Sequence, residues 1–183
     1  MVVEELWQEL CQSGFQPEGF EVGFGTGEEG ALPAIPIPNG KINALLRGYV
    51  DRVDVWKSPG SEYYRVVDYN TGKKDFDYCD VFNGVGLQML LYLFALKKSG
   101  SSLLGEHSIP AGVQYFPARV RYISTDGVPE PEQIEKERQK DWKRQGLLLN
   151  DRAVLDAMEP GEEKKRLPVK EKKGELTGYL ADR

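Results

Sequence analysis

Five side chains between positions 51 and 92 have the types and spacing for hydrolytic chemistry on a phosphate ester. Asp51 stands in GYVDRVD and Asp68 in YRVVDYNTG, each within a run rich in Val and Tyr, and Asn70 follows Asp68 by two positions. Side chains alternate across a strand, so Asp68 and Asn70 project to one face and Val67 and Tyr69 to the other. By the same rule Asp51 shares a face with Tyr49, Val53 and Val55, and Asp54 points away with Val50 and Arg52. A hard cation such as Mg²⁺ takes oxygen ligands, usually one or two carboxylates completed by waters and substrate phosphate oxygens. Asp51 and Asp68 meet that requirement if a hairpin brings them together. Taken singly, each aspartate is equally well read as a surface ion pair or a turn cap. In combination they point to a site, because a carboxylate placed directly after apolar strand residues is costly without a partner. Gln88 and Tyr92, one helical turn apart in GLQMLLYLFAL, complete the set.

The elements that must position these residues are legible from periodicity. Lys41 to Trp56 predicts a long strand or a strand pair, SPGSE at 58 to 62 a turn, and Tyr63 to Tyr69 a second strand, so the two carboxylate stretches form a β-hairpin. Val81 to Lys97 predicts an apolar helix capped by Asp80, with Val81, Gln88, Leu91, Tyr92 and Ala95 on its stripe, buried against a sheet. Upstream, Val2, Val3, Leu6, Trp7 and Leu10 form the apolar stripe of an outer helix closed by Gly14. Phe15 to Asn39 is irregular, with an extended piece at Phe20 to Phe24. Downstream, Ala111 to Ile123 predicts a strand that Pro117 places at an edge or ends, and Pro129 to Gln145 a charged helix stopped by Gly146. Leu147 to Met158 predicts a short helix or turn. Glu162 to Lys173 predicts an exposed hairpin arm or a loop that orders on binding.

Composition excludes several classes. A chain of 183 residues with 40% hydrophobic and 29% charged residues accommodates one domain with a substantial core, not a disordered chain. Cys11 and Cys79 have no CxxC spacing and His107 is the single histidine, so neither a zinc ribbon nor a disulfide framework can be assembled. His107 lies in a Gly/Ser-rich loop with no GxSxG elsewhere, which removes the serine and cysteine hydrolase schemes. GTGEEG at 25 to 30 matches a nucleotide-loop pattern, but no helix pattern follows and two glutamates would repel a phosphate. The longest apolar run, Met89 to Leu96, is too short to cross a bilayer and the first residues are acidic instead of a leader, so no membrane contact and a cytoplasmic protein are expected. The net charge of -5 weighs against a polyanion partner. The six basic residues of 162 to 173 are the expected phosphate contact within the chain.

The order GYVDRVD, YRVVDYNTGKK, GLQMLLYLFAL resembles the PD-(D/E)XK nuclease domain of the RecB-like group, most closely that of the AddB (RexB) chains of ATP-dependent helicase-nucleases. The family pattern is a glycine-x-x-Asp strand, a strand ending Asp-Tyr-Lys-Thr/Ser-Gly and a helix with Gln-x-x-x-Tyr, and residues 40 to 97 carry it here. The resemblance implies a restriction-endonuclease-like α/β fold, a mixed β-sheet flanked by helices. It also implies cleavage of DNA with Mg²⁺ or Mn²⁺ behind a helicase, in double-strand-break repair and recombination, alongside a partner subunit. Carried over by residue, Asp51 and Asp68 are the metal ligands, the Tyr69 carbonyl adds an oxygen, and Gln88 and Tyr92 brace the site or the DNA backbone.

Three departures qualify the resemblance. Asn70 stands where the family has a lysine that orients or activates water and offsets charge on the phosphate, so it belongs to the catalytic set by position and not by charge. Lys73 or Lys74 could reach back from the turn to replace it. No histidine precedes Asp51, and the family's iron-sulfur cysteines are missing. The expectation is a single nuclease-like domain over 1 to 183, cut from a larger subunit, acting as a deoxyribonuclease. The alternative is an inactive nuclease-fold module that serves DNA binding or subunit scaffolding.

Overall fold

The computed structural model describes residues 2–39, 42–72, 74–119, 127–172 and 175–182. Helix α1 (Val2–Gln12) leads into strand β1 (Gln16–Phe24), a small separate hairpin of β2 (Ile35–Asn39) and β3 (Ile42–Leu46), and the long hairpin of β4 (Gly48–Ser58) and β5 (Ser61–Asn70). Helices α2 (Tyr78–Phe82) and α3 (Gln88–Ser99) follow, then β6 (Ile109–Pro117), α4 (Pro131–Asp141), β7 (Gln145–Leu149) and α5 (Arg152–Met158). The hairpin of β8 (Val169–Lys172) and β9 (Glu175–Gly178) precedes the short β10 (Leu180–Ala181). Six strands form one sheet in the order β1-β4-β5-β6-β7-β10; β5 runs parallel to β6 and β10 to β7, and the other pairs are antiparallel. This is the expected mixed sheet flanked by helices. Among the described residues no helix is long and apolar enough to cross a membrane.

Each face of the sheet has its own core. Val53, Val55, Tyr64, Val66, Val113 and Tyr115 pack with Met89, Tyr92 and Leu96 of α3. Phe15, Tyr63, Ala111, Leu148, Val154, Leu155 and Met158 build the core on the α5 side. On that second side also lies a buried network of charge. Arg52, Arg65 and Arg144 rank among the largest fully buried side chains. Arg65 donates to Asp54 Oδ2 (2.8 Å), to Glu9 Oε1 (2.8 Å) and to Gln114 Oε1 (3.0 Å). Arg52 donates to Asp54 Oδ2 (3.0 Å), and its Nε lies 2.8 Å from Asp54 Oδ1, a good ion-pair distance although off the line of a hydrogen bond. Arg144 donates to Glu9 and stacks on Phe116, its Cζ 4.2 Å from the ring centre. Arg52, Arg65, Arg144 and Arg166 thus face the carboxylates of Glu5, Glu9, Asp54 and Glu159, which leaves the cluster neutral, as burial of charge demands.

The network corrects the reading of α1. The face that enters the protein is Glu5 and Glu9, at helical spacing, while Val3 and Trp7 of the apolar stripe are exposed at 75% and 66%. Pairing with buried arginines outweighs hydrophobic transfer for this helix, and an apolar stripe cannot register that. Three further expectations change. The helix of 81 to 97 is two helices: Asp77, not Asp80, caps α2 through Cys79 N–H (2.7 Å), and Gly84 and Gly86 at positive φ break the chain before α3. The charged helix ends at Asp141, and Gln145 to Leu149 is a strand, not part of a helix or turn. Gly146 therefore terminates no helix; a Cβ there would lie 2.0 Å from the Val113 carbonyl, so β7 approaches β6 only through glycine. The strand expected at 111 to 123 is β6 as far as Pro117, and positions 120 to 126 lie outside the described residues.

Burial alone would push the Glu9 carboxyl up; Arg65, Arg144 and Arg52 outweigh it and hold the group at about 2 against an ordinary 4.5. A carboxyl lowered in the folded state contributes stability that is complete above the unfolded value and fades as pH falls through the folded one. Acid unfolding followed by circular dichroism is therefore expected to show a loss of stability between pH 4.5 and about 2 that Glu9→Gln abolishes. At neutral pH Glu9→Gln is expected to cost about 3–5 kcal/mol, because it leaves buried arginines short of a counter-charge. Trp7→Gln, on the exposed face, is expected to stay within about 0.5 kcal/mol of the parent.

Candidate active site

The β4–β5 ladder begins at Ser58 opposite Ser61 and ends at Arg52 opposite Val67. Beyond that pair the ladder stops, at the fork of the two strands, and Asp51 lies near enough to Asp68 for its charge to act there. The Tyr69 N–H donates to Asp51 Oδ2 at 2.9 Å, so a side chain takes the place of a ladder partner. On the other side Asp68 is paired in register with Tyr115 of β6. Asp68 and Asn70 lie in phase with Tyr64 and Val66, whose side chains belong to the core beneath α3, so the carboxylate looks toward that helix and away from the arginine network. Alternation holds on β5 but not along all of β4. Arg52 and Asp54 share the network face as expected, yet Val50 joins Val53 and Val55 in the α3-side core, and Tyr49 is exposed with its hydroxyl donating to Glu28 (2.9 Å). The break falls at Asp51, where the strand leaves the hairpin.

Desolvation first, and the Asp51 charge second, raise the Asp68 carboxyl above its ordinary value; Lys74 and a hydrogen bond from Asn70 pull it back. The Asn70 amide is fixed at both ends. Its Oδ1 accepts the Gly72 N–H at 2.8 Å, and its NH₂ is the group that can donate to Asp68. A neutral amide thus occupies the space beside Asp68. Lys74 Nζ sits over the Tyr115 ring, 5.2 Å from its centre. Lys73 lies outside the described residues.

Gln88 and Tyr92 are joined, as their spacing suggests. Gln88 Nε2 donates to Tyr92 Oη at 2.5 Å, and the Tyr92 ring meets Phe24 edge-on at 5.4 Å in the core. A Cβ on Gly48 would stand 3.6 Å from Tyr92 Oη, so this pair abuts the start of β4, three residues before Asp51. The described hydrogen bonds do not carry either side chain to Asp51 or Asp68.

Among the described residues no group of three or more His, Cys, Asp and Glu is arranged to hold a metal ion. The donor set is smaller: two carboxylates of like charge, one of them desolvated, and the backbone at Tyr69. It fits a small hard cation that keeps other coordination positions for water or phosphate oxygens, and it does not fit a soft metal. Cys11 and Cys79 are exposed free thiols, and His107 is exposed in its loop.

In the tail expected to touch phosphate, Lys164 and Arg166 are committed inward, while Lys165 and Lys170 are exposed. Lys164 is 7% exposed and donates to Asp156 Oδ1 (2.6 Å) and to the carbonyls of Glu159 and Gly161. Arg166 donates to Glu5 (2.7 Å) and Gln12 (3.0 Å), and Glu159 accepts the N–H groups of Lys165, Arg166 and Leu167. What sequence reasoning left out is Tyr115, with Arg119, Lys140 and Lys143 lining the same cleft. Their position follows from the parallel pairing of β5 with β6 and the return of β7, which no local pattern announces.

The family model of the PD-(D/E)XK nuclease superfamily matches residues 1–170. Three curated relatives are named as the B chain of an ATP-dependent helicase/deoxyribonuclease. That of Listeria welshimeri is 35% identical over 160 residues, 87% of this chain and 14% of the relative. That of Acetivibrio thermocellus is 38% identical over 163 residues, again 87% and 14%. That of Ruminiclostridium cellulolyticum is 34% identical over 185 residues, 97% of this chain and 16% of the relative. The chain thus spans about one seventh of the length of the relatives it matches.

Because the folded protein disfavours the ionised Asp68, removing that charge relieves the pair instead of breaking a bond the fold needs. In metal-free buffer the Asp68→Asn chain is expected to unfold no earlier than the parent, and the parent alone is expected to gain Tm when Mn²⁺ is added. Thermal unfolding with and without Mn²⁺ checks both. A large drop in Tm for metal-free Asp68→Asn would make the carboxylate structural.

Proposed function

The chain belongs to the PD-(D/E)XK nuclease superfamily, and on that premise we propose that the fork between β4 and β5 is a divalent-metal site for phosphodiester hydrolysis in DNA. Nucleases of this superfamily generally use divalent metal ions; Mg²⁺ or Mn²⁺ is the reading for this chain. Asp51 and Asp68 hold the cation, with the Tyr69 carbonyl as a further oxygen. The observation that supports this most is the Asp51 carboxylate accepting the Tyr69 N–H one rung beyond the last ladder pair. That bond orients one ligand while leaving its other oxygen for the ion.

When bound, the cation supplies Lewis-acid stabilisation of the negative charge that builds on the phosphate. The protein's own residues do the rest. The Tyr69 N–H keeps Asp51 turned toward Asp68. Asn70, itself held by Gly72 N–H, fixes the Asp68 carboxylate. Gln88 and Tyr92 close the α3 side against the start of β4 and offer a polar group toward the DNA backbone. Within the whole protein this is a single nuclease domain of a longer helicase-nuclease subunit. It acts on DNA in double-strand-break repair and recombination, alongside a partner subunit, in the cytoplasm and without membrane contact.

Asn70 favours a second reading, a nuclease fold kept for DNA binding or scaffolding. An amide stabilises less charge than an ammonium, and loss of one such stabiliser costs on the order of 10²–10³ in rate. Mn²⁺-dependent cleavage of single-stranded DNA separates the two. Asn70→Lys is expected to cleave no more slowly than the parent and Asp68→Ala to lose cleavage. A parent and an Asn70→Lys variant that both leave the strand intact, with calorimetry detecting no Mn²⁺ binding that Asp51→Ala removes, would establish the scaffold reading instead.

A further inference from the structure

A groove runs from Asn70, next but one to Asp68, along the ends of β5 and β6 to the turn between α4 and β7. Asn70, Lys74 and Tyr115 form its inner end, and Arg119, Lys140 and Lys143 its outer wall. Asp75 and Asp141 also border it, so the lining carries four cations against two carboxylates. On a chain of net charge -5 that is a local reversal of sign. The inner end is not a separate surface: Tyr115 is the register partner of Asp68, and the Lys74 charge acts on Asp68 directly. Lys74 is held over the Tyr115 ring and so kept at the mouth of the site. Lys140 pairs with Glu137 one helical turn away, but both are exposed, and such a pair gives way readily to a phosphate. A cleft with cations along its length suits the backbone of a nucleic-acid strand.

We propose that this groove holds the phosphodiester backbone of one DNA strand as it passes the carboxylate pair, and that Lys74 supplies the positive charge which Asn70 lacks. The inference rests on the nuclease reading for the polarity of the site, but the groove's binding is separable from cleavage. Lys74 comes from the turn after β5, not from the strand. It can therefore serve an approaching phosphate while Asn70 remains bonded to Gly72 and Asp68.

The test uses a fluorescent single-stranded oligonucleotide in Ca²⁺ buffer for binding over a range of salt concentrations, and Mn²⁺ buffer for cleavage. Lys74→Met, the pair Lys140→Gln with Lys143→Gln, and the control Lys57→Gln at the far end of the hairpin are compared with the parent. Loss of each phosphate contact on a single strand lowers the slope of log affinity against log salt by about 0.7. Lys74→Met is expected to lower it by about that amount and the pair by about twice as much, with Lys57→Gln unchanged. In Mn²⁺ buffer Lys74→Met is expected to cleave about 10²-fold more slowly, and adding Asn70→Lys to it to restore cleavage. Should Lys74→Met and the pair keep the parent's slope, the groove is not the strand path. Should Asn70→Lys fail to rescue Lys74→Met, Lys74 is not the substitute. If slopes change as expected while Asp68→Ala cleaves like the parent, the groove stands and the nuclease centre does not.

Discussion

Glu9 is the point on which the architecture turns. It belongs to the first helix, yet its two oxygens meet Arg65 of the central strand and Arg144 before β7, residues far apart in the chain. Breaking one partner of a buried pair leaves the other charge stranded in low dielectric, which costs several times what an exposed pair gains. The network is therefore nearly all-or-none: helix, hairpin and the later strands must dock together or expose three guanidiniums. Arg166 extends it to Glu5 and Gln12, so the chain following α5 is tied to the same helix.

That commitment on one face defines what the other can do. Arg52 donates to the Tyr69 hydroxyl of the neighbouring strand at 2.6 Å, and the backbone N–H of the same Tyr69 holds Asp51. Tyr69 is thus fixed by its ring on the network side, where it also meets Phe116 edge-on at 5.3 Å, while its N–H serves the carboxylate pair at the fork. A rigid support is what a metal site with only two carboxylates needs, since few ligands leave orientation to their surroundings. The same rigidity lets the structure keep Asp68 where burial and a like charge both oppose its ionisation.

How much of this can be read from the residues depends on the range of the interaction. The hairpin, its turn, the α3 helix and the Gln88–Tyr92 pair are local patterns, and periodicity finds them. Alternation turns Asp54 away from the site, as its bonds to Arg52 and Arg65 bear out. The failures share one cause. Glu5 and Glu9 sit where pattern rules expect solvent, because their partners lie far along the chain. Gly146 reads as a helix stop because the demand on it comes from Val113 across the sheet. Val50 departs from alternation because a strand that leaves its hairpin need not keep one pleat.

The same long-range pairing resolves the objection raised by net charge. A polyanion responds to the charge near its phosphates, not to the sum over the chain. Of the cations here, Arg52, Arg65, Arg144, Lys164 and Arg166 are consumed in holding elements together, so a count from composition overstates what is available as well as misplacing it. At the fork Lys74 offsets part of the Asp51 charge, and the cleft beyond it adds further cations. Four cations there act on a strand at close range, while most of the acidic surplus lies elsewhere, and charges beyond about 10 Å are screened at ordinary salt. An acidic protein can present a basic path when buried arginines hold its interior together and a few cations are gathered in one cleft.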